Sequence, residues 1–170
     1  AYEHGHWTSQ QRDFTVKQIV KQISEQDNSK LIIKVHPSSS ILTDYSSIVD
    51  QIDNNIPIYQ KGTIDEYLKD IDVIVTSPFS STAEIYALLA HKRIIICNFF
   101  EQDFEDQLIE HGVAVSCKKP SSLIDSIQKA LNSESYEQQR ENFIKNFLYE
   151  WDGNSSKRIA DKLLDILEKS

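Results

Sequence analysis

Short runs of β-branched residues alternate along this chain with segments in which apolar residues recur at helical spacing. The runs Val73-Ile74-Val75 and Ile94-Ile95-Ile96 are two of the densest. A strand that is apolar at every position is buried on both faces, as happens when helices cover a parallel sheet from two sides. The sequence therefore predicts an α/β fold with a doubly wound parallel sheet.

The predicted elements follow one another without an internal repeat or a low-complexity linker. Strands are predicted at 30–35, 56–59, 72–76, 93–97 and 113–116, and helices at 9–26, 65–68, 81–91, 103–111, 134–149 and 155–168, with another after Pro120. A chain of 170 residues is long enough to bury one substantial core. We therefore expect residues 1–170 to form a single domain.

The charge of the chain limits its partners. With 26 acidic and 18 basic residues, the net charge is −8 at pH 7. No basic surplus is available to neutralise a nucleic acid or an anionic membrane, although a local pocket can hold one diphosphate. No apolar stretch approaches the about 20 residues of a membrane span, and the start lacks a signal-peptide pattern. We expect a cytoplasmic protein that does not bind nucleic acid.

The two cysteines, Cys97 and Cys117, have no metal-ligand spacing. We predict that both are reduced thiols within the core, since free cysteine behaves as a small apolar residue. No metal site and no cofactor is predicted from the sequence. No Ser/His/Asp order and no close carboxylate pair identifies a catalytic residue.

Two polar segments each follow an apolar run. One is Lys34-Val35-His36-Pro37, and the other comprises residues 77–84. Ligands of open α/β sheets bind outside the carboxyl ends of the strands, so we expect the two segments to share one site. His36 is suited to donate a hydrogen bond or a positive charge to a phosphate or a sugar. The alternative is that it satisfies backbone groups of its own loop.

Residues 77–84 place the hydroxyls of Ser80, Ser81 and Thr82 at the start of a predicted helix. The unpaired N–H groups and the dipole of a helix N-terminus favour an anion. Ser81-x-x-Glu84 is also a capping box, which explains these residues without any ligand. The two interpretations are compatible. The segment is not a P-loop, because it lacks the glycines and the Lys-Ser/Thr pair.

Weaker candidates lie elsewhere. Asp103 belongs to a group of carboxylates, with Glu101, Glu105 and Asp106, that follows the strand at 93–97. Such carboxylates can accept hydrogen bonds from sugar hydroxyls, and a solvated loop is the alternative interpretation. His6 lies close to the start of the chain, where adventitious metal binding is the alternative.

The order of these segments resembles the C-terminal domain of the GT-B fold. The segments are residues 34–37, then Asp-Val-Ile-Val-Thr-Ser…Ser-Ser-Thr-Ala-Glu at 72–84, then Ala-His-Lys-Arg-Ile-Ile-Ile at 90–96. Similar elements occur in UDP-N-acetylglucosamine 2-epimerase, in CDP-glycerol glycerophosphotransferases and in bacterial sialyltransferases. Residues 152–159 also resemble the Asp-Gly…Ser-x-Arg-Ile segment near the end of the epimerase and glycerophosphotransferase sequences.

The resemblance implies a Rossmann-like domain, the C-terminal half of a GT-B architecture, that binds a UDP-, CMP- or CDP-linked sugar. Ser80, Ser81 and Thr82 would hold the donor phosphates, His36 would contact the nucleotide and Glu84 would reach the ribose. The candidate residues are His36, Ser77, Ser80, Ser81, Thr82 and Glu84, with His6 and Asp103 as further candidates.

The implied function is transfer of a glycosyl or glycerophosphoryl group in cell-surface polysaccharide biosynthesis. The alternatives are a 2-epimerase-like domain and a non-catalytic nucleotide-binding or regulatory module. The resemblance places the acceptor-binding N-terminal half outside this chain. The chain is then an excised domain, or a subunit that needs a partner, and we expect it to be inactive alone. Any peripheral association with a membrane would come through that N-terminal half.

Overall fold

Parallel strands and helices alternate in the computed structural model, which describes residues 8–36, 42–78, 81–101, 106–148, 150 and 152–169. The elements are α1 (Ser9–Ser24), β1 (Ile33–Lys34), α2 (Leu42–Val49), β2 (Ile58–Tyr59), α3 (Ile64–Leu68), β3 (Val73–Thr76), α4 (Thr82–Leu89), β4 (Arg93–Cys97), α5 (Gln107–Glu110), β5 (Val115–Cys117), α6 (Leu123–Leu131), α7 (Tyr136–Phe143) and α8 (Ser155–Glu168). A 3-10 turn, Pro120–Ser122, leads into α6, and a π-helical segment, Ile144–Leu148, continues α7. The predicted α/β class is confirmed.

The strands form two parallel sheets. β1 pairs with β2, and the other sheet has the order β3-β4-β5. In the larger sheet Val73 pairs with Arg93, and Cys97 pairs with Cys117. Parallel pairing with helical connections is compatible with a Rossmann-like fold.

β4 is buried on both faces, as its sequence predicts. Ile94 and Ile96 pack into one apolar cluster with Leu88 of α4 and Leu108 of α5. Ile95 packs into a second cluster on the opposite face, which includes residues from α1 and α6. These three isoleucines are at most 1% exposed. Burial of each such side chain stabilises the fold by about 2–3 kcal/mol, so β4 is the centre of the core.

The helix that follows β1 and the helix that follows β3 lie on opposite sides of the strands. α2, which follows β1, packs against α1, and α1 belongs to the face of the second cluster. α4, which follows β3, packs against the opposite face of the sheet. Leu31, just before β1, and Val75 of β3 pack against the same cluster. β1 and β3 belong to separate sheets, however, so the single doubly wound sheet predicted from the sequence is not shown by the described strands.

α7 is fixed to the body by a polar cluster. The Arg93 guanidinium carbon lies 3.7 Å from the centre of the Tyr136 ring. The Tyr136 hydroxyl donates to the Lys92 carbonyl oxygen at 2.6 Å. Arg140 Nε donates to Glu137 Oε2 at 2.9 Å, next to the Arg93 side chain. These contacts set the direction of α7 and hence the position of Phe143 at its end.

Several boundaries differ from the sequence prediction. The last strand is predicted at 113–116 but begins at Val115, because the N–H groups of Val113 and Ala114 donate to the Leu108 carbonyl oxygen. The predicted helix at 103–111 is described only as α5, with Asp106 as its N-cap, since 102–105 lie outside the described residues. Gly112 follows α5 with a φ of +72°, as expected for a helix end.

α2 was not predicted. Its apolar residues Leu42, Tyr45, Ile48 and Val49 have helical spacing, but polar residues surround them in the sequence. Val49 is fully buried, so the helix is stabilised by packing and not by intrinsic propensity. The predicted helix at 134–149 is also corrected, since regular α-helix ends at Phe143 and π-helical geometry follows.

The prediction for the cysteines is confirmed. Cys97 and Cys117 are free thiols, both buried, on neighbouring strands of the sheet. A hydrogen bond between the two thiols, together with burial, raises the pKa of Cys97. Cys97 is therefore a neutral thiol within the second cluster.

α8 exposes most of its apolar side chains. Leu163 is 56% exposed and Leu167 is 71% exposed. Arg158 in the first turn holds the helix to the preceding turn, through Asp152 at 2.7 Å and Glu150 at 3.2 Å. Within the described ranges, no helix has both the length and the apolar character required to cross a membrane.

Thr15 provides a test of the packing of α1. Its hydroxyl oxygen is buried without a hydrogen-bond partner among the described residues. Replacement of Thr15 by Val removes that desolvated hydroxyl and should raise the free energy of unfolding by about 0.5–1 kcal/mol in denaturant titrations. Thr15→Ser, which keeps the hydroxyl and loses the methyl group, should be less stable than the wild type. A Thr15→Val protein less stable than Thr15→Ser would contradict this packing.

Candidate functional site

The candidate site begins where β3 ends. Thr76 is the last residue of β3, and α4 starts at Thr82 with Ser81 as its N-cap. The Ser81 hydroxyl oxygen accepts the Ala83 N–H at 3.2 Å, and Glu84 Oε2 accepts the Ser81 N–H at 3.1 Å. The predicted capping box is confirmed, and it fixes the direction in which α4 leaves the strand.

Glu84 is buried beneath this turn. It is 1% exposed, and the Thr76 hydroxyl donates to its Oε1 at 2.6 Å. The same Thr76 oxygen lies 3.4 Å from the Ile95 carbonyl oxygen of β4. Burial raises the pKa of Glu84, against the lowering effect of its hydrogen bonds with Thr76 and Ser81. One carboxyl group thus connects the start of α4 with two strands.

A cleft of about 410 Å³ opens beside this helix start. It is lined by residues of α4, α5 and α7 and their caps, namely Ser81, Thr82, Glu84, Ile85, Asp106, Gln107, Leu108 and Phe143. Asp106 is 7% exposed and accepts the Leu108 N–H at 2.8 Å as the N-cap of α5. Its charge adds to the rise in the Glu84 pKa. No basic side chain is present among the described lining residues.

The capping box uses most of the hydrogen-bond donors at the start of α4. The N–H groups of Ser81 and Ala83 bind within the box, and the Glu84 N–H donates to the Ser81 carbonyl oxygen at 3.0 Å. The N–H and the hydroxyl of Thr82 have no hydrogen bond with another described residue, and Thr82 is exposed. Thr82 therefore has a backbone N–H and a hydroxyl to offer a ligand, whereas Ser81 has only the proton of its hydroxyl left to donate.

The other predicted site residues fall into two groups. His36 is exposed and lies two positions beyond the end of β1, and Ser77 is half-buried directly after β3; neither belongs to the described lining of the cleft. Both thus follow strands whose next helices lie on opposite sides. Ser80, His6 and Asp103 lie outside the described residues, so their predicted roles stay predictions.

Three findings refine the predicted carboxylates and their surroundings. Asp106 lines the cleft and is buried, so the alternative of a solvated loop does not hold for this residue. Glu101 is exposed, with a φ of +46°. Phe143 was not predicted to lie at the site, and its place depends on how α7 packs and not on a local motif.

The predicted contact between Glu84 and a ribose stays a prediction. Both carboxyl oxygens of Glu84 are occupied by Thr76 and Ser81, and the side chain has almost no accessible surface. What the structure shows is a positioning residue that holds the start of α4. Among the described residues, no group of three or more His, Cys, Asp or Glu side chains is arranged to hold a metal ion.

Comparison of the chain with protein-family models, with curated proteins and with solved structures finds no match. A function must therefore be inferred from the residues of the cleft and from its place in the fold.

Two substitutions of Glu84 test its role in stability. Glu84→Ala removes both hydrogen bonds and should lower the free energy of unfolding by about 2–3 kcal/mol. Glu84→Gln keeps an acceptor for the Ser81 N–H and can donate to Thr76. It therefore resembles the protonated acid and should fold normally.

The difference in folding stability between Glu84→Gln and the wild type should depend on pH in one direction. Because the folded-state pKa of Glu84 is raised, the contribution of this group to stability is fully present below its ordinary pKa and is lost as the pH rises. Denaturant titrations between about pH 5 and about pH 8 should show Glu84→Gln gaining stability relative to the wild type. A difference that does not change with pH would contradict the burial of an ionisable Glu84.

Proposed function

We propose that this chain is the donor-binding domain of a glycosyltransferase-type enzyme with a GT-B architecture, which transfers a glycosyl or glycerophosphoryl group from an activated nucleotide. The observation that carries the proposal is the start of α4. Thr82 presents unused donors there, in the turn that follows the carboxyl end of β3 and beside the cleft between α4, α5 and α7. Ligands of open α/β sheets bind at such positions.

The chemistry follows from where charge develops. When the bond between the transferred group and the diphosphate oxygen breaks, its electron pair stays on the departing nucleotide. The Thr82 donors and the positive end of α4 stabilise that negative charge in the transition state more than in the bound donor. His36, two positions beyond the end of β1, supplies a further hydrogen bond or positive charge to the nucleotide.

The remaining parts of the reaction belong to a partner. The described residues of the cleft include no group placed to activate an acceptor, because Glu84 is engaged and Asp106 caps α5. We propose that an N-terminal half or a separate subunit binds the acceptor and supplies the catalytic base. A 2-epimerase-like reaction would use the same donor site, and no observation favours it.

Calorimetric titration of the chain with UDP, CMP and CDP tests the donor site. Binding should be weak, because the described lining contains two carboxylates and no basic side chain. Thr82→Ala should lower the affinity for the nucleotide that binds by about tenfold, the effect of losing one hydrogen bond to a charged group. Lack of binding of all three nucleotides at millimolar concentration would refute the proposal.

A control for general damage to a helix start is available at α3, where the substituted residue is the N-cap and not the first helical residue. Thr63 is the N-cap of α3, and its N–H donates to Glu66 Oε1 at 3.2 Å, as in the box at α4. Thr63→Ala should therefore perturb a helix start without changing nucleotide affinity. An equal loss of affinity in Thr63→Ala and Thr82→Ala would mean that the effect reflects general destabilisation.

A further inference from the structure

The two cysteines of the chain face each other across neighbouring strands. Cys97 is the last residue of β4 and Cys117 is the last residue of β5, and the two are paired in the register of the sheet. Both belong to the second apolar cluster, so their side chains project from the same face. A hydrogen bond joins the two sulfur atoms. The sequence contains no other cysteine, so each thiol has one partner for an internal disulfide.

The spacing of neighbouring strands brings this pair within reach of a disulfide. Strands in a sheet lie about 4.7–4.9 Å apart, and the Cα atoms of a disulfide lie about 4.4–6.8 Å apart. The Asn98 N–H donates to the Cys117 carbonyl oxygen at 2.8 Å and holds the two strand ends together. Side chains that project in parallel from two strands must lean toward each other to form the bond, which strains it. A strained disulfide is more easily reduced, so a bond formed here is reversible.

The surroundings of the two thiols identify the one that reacts first. Cys117 is followed at once by the exposed residues Lys118 and Lys119, whereas Cys97 is followed by the buried Asn98. The hydrogen bond from Cys97 stabilises a thiolate at Cys117 and lowers the pKa of Cys117 to about 6. The thiolate is the nucleophilic form of cysteine, so Cys117 attacks an oxidant and Cys97 then reacts with the product.

The burial of both side chains restricts the oxidant. Cys97 is 0% exposed and Cys117 is 1% exposed. Exchange with an external disulfide requires that a large molecule contacts the sulfur atom at the surface. Hydrogen peroxide is close to water in size and can reach a buried sulfur through small local openings of the fold. The site therefore favours a small peroxide over a bulky disulfide.

We infer that Cys97 and Cys117 form a peroxide-sensitive pair, which closes to a disulfide and is opened again by a dithiol reductant. This property is independent of the proposed donor function. Both cysteines are reduced in the resting protein, in agreement with the free thiols of the structure.

The reaction consumes one peroxide and gives two waters. The Cys117 sulfur attacks one peroxide oxygen, the O–O bond breaks, and the other oxygen leaves as hydroxide, which takes up the proton that Cys117 released. The Cys97 sulfur then attacks the sulfur of the resulting sulfenic acid, and the S–O bond breaks. That oxygen leaves with the Cys97 proton as the second water. Two electrons thus pass from the two sulfur atoms to the peroxide.

The disulfide would restrain one wall of the cleft. The segment between the two cysteines contains α5 and its N-cap Asp106, which line the cleft beside α4. Oxidation joins the two ends of this segment and lowers the entropy of its opened states. The amides of α5 should therefore exchange with solvent more slowly in the oxidised chain. Unchanged exchange at α5 would overturn this restraint and leave the disulfide standing.

Mass spectrometry after treatment with hydrogen peroxide tests the pair. The chain contains no methionine, so a common competing site of peroxide oxidation is absent. The folded, reduced chain is treated, then unfolded and alkylated. The expected product has lost two hydrogen atoms, takes up no alkylating reagent and yields a cross-linked peptide pair that contains Cys97 and Cys117. Dithiothreitol should restore both thiols. A chain that keeps both thiols, while a cysteine peptide in the same solution is oxidised, would overturn the inference.

Labelling with a bulky maleimide shows whether the folded chain reacts. The buried thiols should stay unlabelled during the time in which peroxide oxidises them. Equal rates of labelling and oxidation would mean that both reagents react with the unfolded chain. That result would overturn the role of the strand register.

Two matched variants test the order of the steps. In Cys97→Ser, the serine hydroxyl can still donate to Cys117, and Cys117 should form a sulfenic acid that dimedone traps. In Cys117→Ser, Cys97 should react at least about tenfold more slowly, because no neighbour stabilises its thiolate. Faster oxidation of Cys97 than of Cys117 would overturn the assignment of Cys117 as the attacking thiol. The wild-type chain still decides whether the disulfide forms if either variant fails to fold.

Discussion

The hydrogen bond between Thr76 and Glu84 is the contact on which the candidate site depends. It joins the last residue of β3 to the first turn of α4, and Glu84 also accepts the N–H of the N-cap Ser81. The direction of α4, the shape of the cleft and the exposure of Thr82 all follow from this buried carboxyl group. Replacement of its hydrogen bonds by a purely apolar contact would leave the Ser81 N–H without its partner and keep only the bond from Ala83 to the Ser81 hydroxyl.

Such an arrangement has a cost in stability. Burial of a carboxyl group next to a second carboxylate disfavours its charged form, and the hydrogen bonds compensate only in part. An apolar residue in place of Glu84 could fill the same volume without that cost, but it could not hold the Ser81 N–H. A buried acid under a helix start is therefore consistent with a site in which geometry matters more than stability.

The central strands could be predicted from sequence because their signal is local. Ile94, Ile95 and Ile96 are apolar at consecutive positions, and only burial on two faces accommodates them. The capping box of α4 was predictable for the same reason, since Ser81 and Glu84 are three positions apart and interact within one turn. The polar flanks of α2 concealed a helix that depends on packing against α1.

The details of the site are not local, and the sequence could not supply them. The burial of Glu84 depends on how α4 packs against β3 and β4, and the place of Phe143 depends on the polar cluster that fixes α7. The difference between Ser81, whose N–H and hydroxyl oxygen serve the cap, and Thr82, whose N–H and hydroxyl bind no other described residue, appears only when each hydrogen bond is traced. A pattern of hydroxyl residues predicts a helix start that suits an anion, and geometry selects the residue.

The most direct test of a donor site at the start of α4 is a titration of the labelled chain with UDP, followed through its backbone amide chemical shifts. The predicted result is that the largest changes occur at Thr82 and Ala83, with a further change at His36. Changes confined to the separate pocket of Lys69 and Lys92, with none at Thr82, would contradict the proposed site.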